Sequence, residues 1–118
     1  MKRISMLVAA GLFLLAAAIV PTIRAVAQQT AVTDDNLNQM ITSAKTPADH
    51  EAIAVYYDTE AAENEKKASL HSRNKNMYTK LDFSAHCNAL IREYQQAAKQ
   101  DKALAAFHRE MAKTAAGQ

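Results

Sequence analysis

Apolar positions follow three different patterns along this chain. From Met6 to Val20 they run without a polar interruption. Leu37, Met40, Ile41 and Ala44 then recur at the spacing of one helix face, after Thr33-Asp34-Asp35, which supplies caps and negative charge for a short helix. A stronger start follows in Thr46-Pro47-Ala48-Asp49, with Thr at the N-cap, Pro at N1 and an acid at N3. Nothing breaks the helical pattern until Arg73-Asn74-Lys75-Asn76, a run of about 29 residues, or about 43 Å at 1.5 Å per residue. Met77 to Leu81 reads as a turn, and Asp82 or Ser84 as the cap of a last helix that meets no breaker before Gly117. No run alternates with a period of two and no hairpin-turn signal occurs, so the fold class is all-α: a long antiparallel, coiled-coil-like helical hairpin preceded by a short helix.

Heptads sharpen this picture. With Cys87 at a, the last helix carries Leu90, Ala97, Leu104 and Met111 at d and Ile91, Ala98, Ala105 and Ala112 at e, an apolar stripe with small residues that permit close approach. Its a row is semi-polar: Cys87, Tyr94, Asp101, His108. With His50 at a, the first long helix gives His50, Tyr57, Asn64 and His71, with Ile53 at d and Ala54, Ala61 and Ala68 at e. Both helices therefore present a polar column within an apolar face.

The uninterrupted run changes the picture of where the chain goes. Lys2 and Arg3 precede it, and Pro21 ends it ahead of Ala25-Val26-Ala27, the three parts of a cleavable secretory signal spanning residues 1–27. The expected mature chain is the 91 residues from Gln28 to Gln118, divided into a loose N-terminus with the short helix (28–45) and the hairpin (46–118). It keeps 11 basic and 12 acidic residues, a net charge of −1, so the apparent basicity belongs to the leader. A near-neutral chain with interspersed signs has no electrostatic footprint for nucleic acid or anionic lipid, and no membrane span remains after cleavage. The expected location is the periplasm or the exterior.

Composition then limits the core. Of the mature residues 18 are Ala and only 12 are Leu, Ile, Val or Phe, too few for a lone two-helix hairpin to bury comfortably. Docking of the short helix, dimerisation or a bound metal would each supply the missing stability.

Candidate chemistry lies in His50, His71, His86, Cys87 and His108. His50 and His71 are 21 residues apart, as are Cys87 and His108, and 21 is three heptads. In an antiparallel pair facing residues share an index sum, and 50 with 108 and 71 with 87 both give 158. That sum sets His50 opposite His108 and His71 opposite Cys87, with His86 alongside, and pairs Tyr57 with Asp101 and Asn64 with Tyr94. Imidazole and thiolate suit zinc or copper, though two or three donors fall short of a closed four-ligand zinc site. The same histidines also read as hydrogen-bonded interior residues that need no cofactor. Cys87, the one cysteine, reads as buried, metal-bound or paired with another chain.

No P-loop, G-x-G-x-x-G, G-x-S-x-G or H-E-x-x-H motif occurs, and an Ala-rich hairpin offers little concave volume, so the expectation is a protein without enzymatic activity. The segment Thr46-Pro47-Ala48-Asp49-His50-Glu51-Ala52-Ile53-Ala54 with Tyr56-Tyr57, then His86-Cys87 and Leu104-Ala105-Ala106-Phe107-His108, resembles small uncharacterised exported helical proteins of bacteria. More loosely, at the level of fold, the chain is similar to periplasmic helical-hairpin proteins of the Spy and heavy-metal-resistance type, whose L-T-x-x-Q motif it lacks. The first resemblance implies no activity. The expected function is association, with itself as a homo-oligomer or with an envelope protein partner, through Leu90, Ile91, Leu104 and Met111. The alternative is metal binding.

Overall fold

A computed structural model describes residues 30–81 and 83–118, so the leader reading of residues 1–27 and the Asp82 cap lie outside the described residues. Three α-helices follow one another: α1 (Leu37–Ser43), α2 (Pro47–Asn74) and α3 (Ser84–Ala116), with a 3₁₀ helix over Lys75–Leu81 between the last two. The described residues are all-helical and contain no strand. None of their helices is long and apolar enough to cross a membrane.

The start of α2 is where the side-chain chemistry demands it. Thr46 Oγ1 accepts from the Asp49 backbone N–H (3.1 Å), and Asp49 Oδ2 accepts in return from the backbone N–H groups of Thr46 (2.9 Å) and Lys45 (3.0 Å). This closed box, with Pro47 in the first turn, satisfies donors that a helix start leaves open. The same Lys45 and Thr46 N–H groups hold the Asp49 carboxyl below its ordinary range.

Other ends differ from the sequence expectation. Asn36, not the Thr33-Asp34-Asp35 group, is the N-cap residue of α1, and its Oδ1 accepts from the Thr33 N–H at 2.8 Å. Asp34 instead accepts a 2.7 Å hydrogen bond from the Tyr56 hydroxyl, tying the N-terminal segment to α2 and pushing the Tyr56 pKa up to about 12. Ser84 is the first residue of α3 rather than its cap, which is Phe83 without a side-chain capping bond. The expected turn after α2 is wound as the 3₁₀ helix. Gly117 closes α3, its N–H reaching the carbonyls of Lys113 and Thr114.

Residues rising in number on α2 meet residues falling in number on α3: His50 meets His108, Asn64 meets Asp101 and His71 meets Tyr94. The two helices therefore run in opposite directions. Their buried seam consists of His50, Ile53, Ala54, Ala61 and Ala68 from α2 and Cys87, Ala98, Ala105 and His108 from α3. Ile53 is its single large fully buried side chain. The seam thus uses the e-position alanines of both helices, whose missing bulk lets the backbones close on that side. The d row of α3, expected to be core, is not: Leu104 is 40% exposed and Met111 38%. Along the outer edge of the alanine side, Lys102 pairs with Glu65, and Arg109 with Glu51 (3.4 Å) and Asp58 (2.5 Å), exposed pairs that solvent screens. α1 touches α2 and makes no contact with α3, so it does not act as a third member over the bare side of α3.

Candidate functional site

The polar columns do not confront one another residue for residue; they interleave. His108 contacts His50 (ring centroids 5.6 Å apart) and also Tyr57 (6.0 Å, stacked at 21°). Asp101 accepts a 2.9 Å bond from Asn64 Nδ2, and Tyr94 stacks on His71 at 5.8 Å and 12°. Asn64 and His71 thus make their recorded contacts one heptad from the expected partners Tyr94 and Cys87, with His71 and Cys87 still lining one cleft, while His50 meets His108 as expected. The physical reason is knobs-into-holes packing: each side chain enters the gap between two on the opposite helix, so the facing position falls half a heptad from the assumed one.

At the open end of the pair, His50 Nδ1 and His108 Nδ1 stand 3.3 Å apart. Both residues are buried, at 8% and 5% exposure. His108 is fixed by the Tyr57 face and by the Phe107 ring, which meets it edge-on at 5.5 Å. Tyr57 is in turn braced by Tyr56 at 5.3 Å. Burial first, and the neighbouring His50 second, push the His108 pKa below its ordinary value. On the same helical turns, the Asp49 carboxylate is occupied in the α2 cap and Glu51 on Arg109.

At the turn end, His71, Asn74, His86, Cys87, Tyr78 and Phe83 line one cleft of about 320 Å³ with Leu90 at its wall. Cys87 is a free, buried thiol, whereas His86 is exposed, consistent with adjacent helix positions pointing about 100° apart. His71 spends its ring face on Tyr94, and Lys67 Nζ lies 5.6 Å from the centre of the same tyrosine ring. Among the described residues no three His, Cys, Asp or Glu side chains converge closely enough to hold a metal ion. The five candidate ligands thus form one close pair, His50/His108, and one looser group, His71/His86/Cys87.

The sequence reading missed the ring cage of Tyr57 and Phe107 on His108. The signal was present in the a-row spacing, since Tyr57 lies one heptad from His50 and Phe107 directly precedes His108. Compared with known proteins, the chain matches no family model, no curated protein and no solved structure. Function is therefore argued from these residues alone.

Proposed function

We propose that this is an exported, non-catalytic helical protein that works by association, with a second copy of the chain as the occupant of the bare side of α3. The observation that carries the reading is the strip of Leu104, Phe107 and Met111, 40%, 56% and 38% exposed, at helical spacing beside a seam in which Ile53 is the one large apolar side chain fully buried among the described residues. A second hairpin laid on this strip would complete a four-helix core. Phe107 thereby joins Leu104 and Met111 in the proposed surface in place of Leu90 and Ile91, both half-buried. Export is supported by the basic, apolar and A-x-A segments of residues 1–27, and the purified secreted chain is expected to begin at Gln28 by N-terminal analysis. A retained Met1 would refute export.

Sedimentation velocity tests the association. The chain is expected to dimerise with concentration, and Phe107→Glu to leave a monomer of unchanged helicity. Removing two phenylalanines from a symmetric contact, at roughly 1.5–3 kcal/mol each, weakens it by roughly a hundredfold or more. A wild-type chain that stays monomeric up to millimolar concentration overturns self-association, and one that dimerises equally well with Glu at this position overturns the surface.

A further inference from the structure

We propose that the His50/His108 layer is a two-nitrogen binding site for a borderline divalent transition ion, Zn²⁺ or Cu²⁺. Two nitrogens bound to one such ion at about 2.0–2.1 Å, with a tetrahedral angle between them, stand about 3.3–3.4 Å apart. The two Nδ1 atoms are already 3.3 Å apart, delivered by opposite helices from positions 58 residues distant in the chain. The contact is at the long end of a hydrogen bond between the two imidazoles, and its span matches the bite of a chelate.

The rest of the layer favours the same ligand class. Ile53, Ala54 and Ala105, exposed by no more than 1%, fix the backbones that carry the imidazoles, and Tyr57 and Phe107 hold the His108 ring. A prepositioned pair gives up little freedom on binding, the role usually played by groups behind the ligands. The donor set is neutral imidazole, and the nearby carboxylates of Asp49 and Glu51 are engaged elsewhere, so the layer suits zinc or copper and not the oxygen-seeking Mg²⁺ or Ca²⁺. Both residues are nearly but not fully buried, at 8% and 5% exposure, and water would complete the ion's coordination. Loading needs no net loss of a proton from the neutral pair: the hydrogen between the two Nδ1 atoms moves to an Nε2, leaving both Nδ1 lone pairs on the ion. Both nitrogen donors come from one chain.

Zn²⁺ is titrated into the ¹⁵N-labelled chain at pH 7.5 while long-range ¹H–¹⁵N correlations of its four histidines are followed. The Nδ1 signals of His50 and His108 are expected to move together and saturate at one ion per chain, with His71 and His86 unmoved and Mg²⁺ without effect. His108→Gln, which keeps a polar partner for His50, is expected to weaken binding by roughly 10–100-fold. Movement confined to His71 and His86, unsaturable movement of all four histidines, or no movement at millimolar Zn²⁺ overturns the proposal. So does a folded His108→Gln chain that binds as tightly as wild type. If that variant does not fold, the assignment on the wild-type chain decides.

Discussion

Ile53→Ala is expected to cost about 2–5 kcal/mol, a large fraction of the stability of so small a domain. Ile53 is completely buried and is the one large side chain in a seam otherwise made of alanines, a cysteine and two histidines. Truncation removes its transfer free energy and leaves a cavity between the two helices. Neighbouring Ala54 and Ala105 have no side-chain reach with which to fill it, so relaxation recovers little. Urea unfolding followed by circular dichroism at 222 nm measures the loss. A change below 1 kcal/mol would mean that Ile53 is not the anchor of the seam.

Acidification from pH 7.5 to 5 is the second large expected effect, and it lowers the melting temperature. His108 is buried between two helices, and burial and then the neighbouring His50 depress its pKa. The unfolded chain takes up a proton on this residue near pH 6.5, whereas the folded chain resists it to lower pH. The folded state then binds fewer protons, so stability is complete above about pH 6.5 and is lost as pH falls through that value toward the depressed one. The groups facing the ring are His50 and Tyr57 from α2 and Phe107 from its own helix, none of which supplies a negative charge. The Asp49 carboxylate interacts with His50, and its lowered pKa keeps its own titration well below this window. Each kcal/mol lost moves the midpoint by about 4–8 °C in a domain of this size. Thermal melts at pH 7.5, 6.5, 5.5 and 5 check the trend, and His108→Gln should flatten it. A wild-type midpoint constant over that range would show that no histidine is buried uncharged in the seam.

The all-helical class was legible because Thr46, Pro47 and Asp49 act locally, through bonds made within one turn, and because Ala-rich runs without Gly or Pro have no competing conformation. The His50/His108 pair was legible from spacing alone. The rest required the third dimension. A shared index sum identifies an antiparallel pairing but does not distinguish facing from interleaved side chains, which is why His71 stacks on Tyr94 while also lining the cleft that holds Cys87. Leucine at d outweighed alanine at e on any hydrophobicity scale, yet Ala98 and Ala105 are buried while Leu104 is exposed. Small side chains on both helices draw the backbones together on their own side and rotate the larger ones outward. The Asp34–Tyr56 bond, between residues 22 positions apart, had no local signal at all.

The separation of the two histidine layers along α2 sets the order in which the pair would come apart. Twenty-one residues of helix place His50 and His71 about 32 Å from each other, some four Debye lengths at physiological ionic strength. A charge gained at the free end is therefore not felt at the joined end. There the stacked His71 and Tyr94 rings and the 3₁₀ connection hold the helices in register. Protonation of His108 acts on its own tip, and there the helices part like forceps, hinged where the chain itself keeps the two blades together.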